Sequence, residues 1–235
     1  MKTVIISLGG SIIVPDEINV YLLKEFRDII LEFINENKES KHNNKQENRV
    51  VIICGGGNTA KKYMDAVKKF GSIDNKELDW IGIKSTKLNA EFIRVIFGKH
   101  AFGVIDNPKN PITSDKKILI AAGYEPGCST DMDAVLLAGT LEAKQVVNLS
   151  NIDYAYTKDP HLHKDALPIK ETSWDKFFEI AGDTWSPRMN TPFDPVASRK
   201  AKELGLEVVI LNGTKLDNFK NYLYDRDFVG TRIKW

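Results

Sequence analysis

Two glycine-rich turns are the residues of this chain best suited to holding an anion. The first lies in Ile5-Ile6-Ser7-Leu8-Gly9-Gly10-Ser11 and the second in Val50-Val51-Ile52-Ile53-Cys54-Gly55-Gly56-Gly57-Asn58. In each, a β-branched run enters adjoining glycines and a helix-like pattern follows. Glycine lets backbone N–H groups converge on a phosphate with no Cβ in the way, and the start of a following helix adds a favourable partial charge. A single turn of this kind is as readily a tight strand-to-helix connection, whereas two in one chain favour a phosphate cradle. They are expected to face one another across one crevice.

Other side chains could complete such a site. A lysine at a helix start is ordinarily a solvated surface charge, but Lys61, one turn beyond the second glycine turn, can reach a transferring phosphate. Ser150, Tyr156 and Asp159 offer a hydroxyl, an aromatic face and a carboxylate, which suit a nucleotide pocket. Taken alone, Tyr156 is as readily core and Asp159-Pro160 a turn opener. Cys54 and Cys128 stand apart, build neither a disulfide framework nor a CxxC metal site, and read as small buried residues. His161-x-His163 reads as a solvent-facing pair, and no side chain is assigned to a metal.

Gly55-x-Gly57-x-x-Ala60 also fits the dinucleotide fingerprint, with Asp79 near the place of the ribose-binding acid. That fingerprint normally follows the first strand of its domain; here it follows the second. A Walker-type GxxxxGK[ST] is missing as well, since Gly98-Lys99 is followed by His100.

The elements that must position these residues follow from periodicity. Short β-branched runs at 3–8, 50–54, 101–105, 117–121, 145–149 and 207–211 predict buried strands. Between them, apolar residues at helical spacing recur, as in Leu22, Leu23, Phe26, Ile29, Ile30 and Phe33. The alternation predicts an α/β fold, a mostly parallel sheet with helices on both faces. At 235 residues the chain suits a single domain over 1–235. Residues 37–49 carry no apolar side chain and predict a mobile surface loop. The stretches 159–170 and 183–195, the latter with three prolines, predict excursions from the sheet.

Hydrophobic residues make up 42% and charged residues 28%, with a net charge of +1, so the chain offers no field for a nucleic acid. No signal-peptide pattern or membrane-length apolar run is visible, which predicts a cytoplasmic protein.

Taken in order along the chain, the motifs resemble the amino acid kinase superfamily, and within it the uridylate (UMP) kinases of the archaeal type. The resemblance runs from Leu8-Gly9-Gly10-Ser11 through Gly55-Gly56-Gly57-Asn58-Thr59-Ala60-Lys61 and Asp79-Trp80-Ile81-Gly82-Ile83, with Asn89-Ala90. It continues through Pro126-Gly127-Cys128-Ser129-Thr130-Asp131, Asn151-Ile152-Asp153-Tyr154-Ala155-Tyr156-Thr157-Lys158-Asp159-Pro160 and Asp194-Pro195, and closes on Gly230-Thr231-Arg232-Ile233. It implies a three-layer αβα sandwich, with an acceptor lobe over about 1–145 and an ATP lobe over about 146–235.

The resemblance also implies roles. Gly9, Gly10, Gly57, Lys61, Ser150, Asn151, Tyr156 and Asp159 would hold ATP. Gly56, Asp79 and the loop Tyr124-Glu125-Pro126-Gly127-Cys128-Ser129-Thr130 would hold UMP, with Asp79 on the ribose hydroxyls. Lys61, Gly10 and Asp153 would be the catalytic residues, Asp153 ordering a lysine or a metal-bound water. The implied reaction is in-line transfer from ATP with Mg²⁺ to an already ionised phosphate, which needs no general base. Relatives assemble as dimers and hexamers, so a homo-oligomer is implied.

Two departures stand out. Ser7 occupies the place where many superfamily members carry lysine, which bears on catalysis and not on the fold. Lys61 and Lys87 stand where close relatives have arginine, so charge is kept and bidentate geometry lost. The alternatives are an isopentenyl phosphate kinase or other small organophosphate kinase, and a non-catalytic nucleotide or oxyanion binder like molybdenum-storage subunits. The isoprenoid enzymes carry a histidine in the helix after the GGG turn, and this chain has none there.

Overall fold

A computed structural model describes residues 2–36, 38–39, 45–158, 160, 162–181 and 192–235. Strand β1 (Lys2–Leu8) passes through Gly9 into a single helical turn, α1 (Gly10–Ile13), and then α2 (Val20–Asn35). Asn19 caps α2 by accepting the Leu22 amide at 3.4 Å, and Leu23, Phe26, Ile30 and Phe33 line its buried face. Two short antiparallel strands, β2 (Lys38–Glu39) and β3 (Lys45–Gln46), precede β4 (Asn48–Cys54). The helices α3 (Gly57–Val67) and α4 (Asn75–Phe97) lead to β5 (Ala101–Ile105) and β6 (Ile118–Ala121).

Helix α5 (Thr130–Thr140) enters β7 (Gln145–Ser150), followed by a hairpin of β8 (Ala155–Tyr156) and β9 (Pro168–Ile169). The chain then forms β10 (Glu171–Ser173), α6 (Trp174–Ala181), α7 (Pro195–Glu203), β11 (Glu207–Asn212), α8 (Leu216–Leu223) and β12 (Thr231–Lys234). Eight strands make one sheet in the order β10-β12-β11-β7-β1-β4-β6-β5. All neighbours pair in parallel except β11 and β12.

Strand side chains alternate between faces, and this chain builds a separate core on each. Ile6, Leu8, Ile52, Ile120, Leu149 and Leu211 join Phe26, Phe33 and Phe219 on the side of α2, α4 and α8. Ile5, Val51, Ile53, Val146, Val208 and Ile210 join Trp174, Phe177 and Phe193 on the side of α5, α6 and α7. Fully buried strands of this kind read as unbroken β-branched runs, and all six predicted strands are present, with β5 at the sheet edge only partly buried.

The polar stretch 37–49 is corrected at its end. Asn48 and Arg49 belong to β4, because Asn48 is 2% exposed and its amide donates to the Phe33 carbonyl at 2.9 Å, while Arg49 donates to the Ser114 carbonyl at 3.0 Å. Lys38–Glu39 and Lys45–Gln46 pair as strands; residues 37 and 40–44 lie outside the described residues. The excursion at 159–170 leaves by β8 and returns by β9, apart from the main sheet. Most of 183–195 lies outside the described residues. Among the described residues no helix is long and apolar enough to cross a membrane.

Candidate active site

Strands β1 and β4 are parallel neighbours in register from Lys2↔Asn48 to Leu8↔Cys54, so both glycine turns leave the sheet at the same carboxyl edge. There they meet in direct backbone contact. A Cβ placed on Gly10 would lie 2.0 Å from the Gly57 nitrogen, and one placed on Gly55 would lie 2.3 Å from the Gly10 nitrogen. Gly57 has φ +60°, a conformation glycine adopts without strain. The carboxyl edge of a parallel sheet is where ligands bind in folds of this type.

The amides divide into two groups. Gly9 N–H donates to the Leu149 carbonyl at 2.9 Å and Gly55 N–H to the Leu8 carbonyl at 2.9 Å, so both serve the sheet. The amides of Gly10, Ser11, Gly56 and Gly57 make no backbone hydrogen bond among the described residues. These four are the anion donors the turns can present. Their carbonyl side is fixed from α4, where buried Asn89 donates to Gly55 at 2.8 Å and to Gly56 at 3.1 Å.

Of the residues predicted to hold ATP, Ser150, Asn151 and Tyr156 lie at or just after the end of β7. Ser150 closes that strand, and its carbonyl accepts the Gly213 amide at 2.8 Å, joining it to the end of β11. Asp153 accepts from Asn212 at 2.9 Å and from the Lys215 ammonium at 2.8 Å, and that lysine holds its carboxyl below the usual range, assisted by Asn212. Asn151 is exposed. Tyr156 is half-buried in β8 with its ring edge-on to Tyr154 at 6.3 Å. Asp159 and His161 lie outside the described residues, and His163 is exposed.

The predicted acceptor residues gather on the other side of the glycine turns. Gly123 N–H donates to the buried Thr86 hydroxyl at 2.8 Å, anchoring the chain as it leaves β6. Asp79, half-buried on α4, accepts the Gly127 amide at 2.9 Å, so the carboxylate and the loop 124–130 are brought together. Lys109 pairs with Glu125 at 3.1 Å and lies 4.9 Å from the Tyr124 ring centre. Cys128 turns its thiol inward to Asp133 at 3.2 Å, and Ser129 caps α5 by accepting the Met132 amide at 3.2 Å.

Ser7 projects to the same face as Ile5, toward α5. Its hydroxyl donates to Asp131 at 3.0 Å, and the other Asp131 oxygen accepts the Asp194 amide at 3.2 Å. Asp131 as a whole residue is half-buried, but its carboxyl is enclosed, and burial pushes its pKa up to about 6 against those hydrogen bonds. Ser7 pairs with Asn148 across β1 and β7, and Asn148 donates to the Pro192 carbonyl at 3.0 Å. A polar strip thus runs beneath the glycine turns where the rest of this face is apolar.

Lys61 is exposed on α3, one turn beyond Gly57, and forms no ion pair with the described residues. Lys87 pairs with Asp106 at 3.3 Å. Among the described residues no group of three or more His, Cys, Asp or Glu side chains could hold a metal ion. The sequence pattern assigns no role to Asn89, Asp131, Asp133 or Lys215. The one available signal was the pair of acids at 131 and 133 opening an otherwise apolar helix.

Two glycine turns in contact at the carboxyl edge of a three-layer α/β sheet, with amides free of backbone partners among the described residues, fit a phosphate-handling protein. The model of the amino acid kinase family matches residues 2–212, and the chain belongs to that family. It is 29% identical over 236 residues to a uridylate kinase of Methanobrevibacter smithii, covering 98% of each chain. It is 30% identical over 234 residues to one of Methanoregula boonei, covering 95% of this chain and 92% of that one. The crystal structure of uridylate kinase from Archaeoglobus fulgidus superposes with a TM-score of 0.80 at 26% identity, over 99% of this chain and 100% of that one.

Proposed function

We propose that this chain is a UMP kinase, transferring the terminal phosphoryl group of ATP to UMP to give ADP and UDP. The observation that carries the proposal is the backbone contact of Gly10 with Gly57, which sets four free amides between the segment 150–156 and the loop 124–130. The uridylate kinase relatives matched along nearly the whole chain support the same acceptor.

A UMP phosphate oxygen attacks the γ-phosphorus of ATP in line. The new P–O bond forms as the bond from that phosphorus to the β,γ-bridging oxygen breaks, and ADP departs with the electron pair. Charge spread over the transferring group is met by the Gly10, Gly56 and Gly57 amides and by Lys61. Asp153 acts through Lys215 and orients the segment that holds the nucleotide. In this reading residues 1–145 form the acceptor lobe and 146–235 the ATP lobe, with Asp79 on the acceptor ribose and Asp159 on the ATP side. Mg²⁺ enters with ATP, and the reaction belongs to cytoplasmic pyrimidine nucleotide synthesis.

Assembly into a dimer or hexamer is part of the proposal. An apolar furrow of about 650 Å³ between α3 and α4 supports it, with Tyr63 65% and Leu88 63% exposed at its walls.

The deciding experiment is ADP release from the purified chain with ATP and Mg²⁺, tested against UMP, CMP, dTMP and isopentenyl phosphate. UMP is expected to give the highest kcat/KM. Fastest turnover with isopentenyl phosphate, or ATP binding with no turnover of any acceptor, would reject the proposal.

A further inference from the structure

The loop between β6 and α5 is folded onto a single carboxylate. Asp133 is fully buried, and its two oxygens meet the two ends of the loop. Oδ2 accepts the Tyr124 amide at 3.3 Å, and Oδ1 accepts the Cys128 thiol at 3.2 Å. The helix carrying it starts inside the same loop, since Asp133 N–H donates to the Ser129 carbonyl at 3.0 Å. An inner turn, closed by Cys128 N–H to the Glu125 carbonyl at 3.0 Å, leaves Gly127 at φ +81° with its amide on Asp79.

A carboxylate is a costly choice for this position. The other buried residues of α5 are Ala134, Val135, Leu137 and Ala138, and burying a charge among them is unfavourable unless donors satisfy it. Burial disfavours its charge most, and the neighbouring acids Glu125 and Asp131 disfavour it further. What the carboxylate gains is two hydrogen bonds, both from the loop.

We propose that Asp133 is a positioning residue for the phosphoryl acceptor: by holding Tyr124 and Cys128 at once, it fixes the shape of the loop on which the acceptor binds. The identity of that acceptor rests on the kinase reading above, whereas the anchoring rests on the contacts alone.

Two measurements on one set of variants test this and separate it from the kinase reading. Asp133→Asn keeps the side-chain shape but turns an amide donor toward donors. It is expected to raise the UMP KM roughly tenfold, the scale of one lost buried hydrogen bond, with the ATP KM within about twofold of wild type. Cys128→Ala should raise the UMP KM in the same direction, and Cys128→Ser, which retains an O–H donor for Asp133, should restore it.

The second measurement needs no turnover: the rate at which a disulfide thiol reagent labels Cys128 in the folded chain, where Cys54 is fully buried. Burial and the Asp133 charge push the Cys128 thiol up, so Asp133→Asn should speed labelling by about tenfold. Unchanged labelling together with an unchanged UMP KM would overturn the proposal, as would equal loss in every kinetic constant without faster labelling. Faster labelling in a chain that phosphorylates no nucleotide would reject the acceptor and uphold the anchor.

Discussion

The backbone of Gly10 lies against the backbone of Gly57 so tightly that a Cβ on either would overlap the other, at 2.0 Å from the Gly57 nitrogen and 2.3 Å from the Gly10 oxygen. Neither neighbour is a side chain that could turn away. The contact also sets the spacing of the free amides on both turns.

Gly10→Ala should therefore act on stability and turnover together. Overpacking of this kind costs about 1–3 kcal/mol, and displacement of the Gly57 turn should lower ADP release by at least about tenfold. Denaturant unfolding and steady-state kinetics read the two effects. Wild-type values in both would mean that the turns do not touch as described.

Asp79→Asn separates two jobs of one carboxylate. The amide oxygen of asparagine can still accept the Gly127 N–H, so stability should change by less than about 1 kcal/mol. Loss of the charge should raise the acceptor KM by about tenfold if the carboxylate binds the ribose hydroxyls. An acceptor KM and turnover equal to wild type would remove Asp79 from the acceptor site.

The Asp153–Lys215 pair is half exposed, and pairs of that kind add little to stability. Lys215→Ala should leave the melting temperature nearly unchanged yet raise the ATP KM a few-fold, about 1 kcal/mol, because Asp153 loses its ion pair at the start of α8 and is held by Asn212 alone. The acceptor KM should not move. A change confined to the acceptor would assign the pair to the wrong lobe.

The two acids of α5 make stability depend on pH. Burial, the dominant cause for both, raises Asp131 to about 6 and Asp133 to about 7, against ordinary values near 4. The unfolded chain thus ionises these groups first. Their protonated forms favour the fold fully below about pH 4, and that advantage is lost as pH rises through about 6 and 7. Asp131→Asn removes one of the two titrations. Relative to wild type it should gain stability steadily from pH 4 to 6 and hold a constant offset above, as read by urea unfolding at several pH values. A constant difference across the whole range would place the Asp131 titration elsewhere.

Much of this architecture is legible in the chain because fully buried strands advertise themselves. Ile5-Ile6, Val50-Val51-Ile52-Ile53 and Val208-Val209-Ile210-Leu211 have no other plausible use than the middle of a sheet covered on both faces. Thr231–Lys234 and Glu171–Ser173 escape notice because each is short and alternates charge with burial, so pairing with a distant strand defines it. Asn48 looks like loop for a similar reason: its burial depends on the Phe33 carbonyl, which only the packed helix supplies.

The site divides in the same way. Glycine turns announce themselves by composition, and strand alternation carries Ser7 toward α5. That Asp131 and Asp133 are inward-facing could not be read, because acids in the first turn of a helix ordinarily remain in water and favour its dipole. Only the fold of the loop 124–130 over α5 turns them into anchors.

The seven paired residues of β1 and β4 also work as a spacer. Lys2 and Asn48 sit at one end of the ladder and the glycines at the other, separated by about 20 Å of extended backbone. Chain inserted ahead of Asn48 joins the molecule on the side remote from the phosphates. Evolution, or a designer adding a tag or a label, is free to change length and composition there while the chemistry at the opposite rim is left alone.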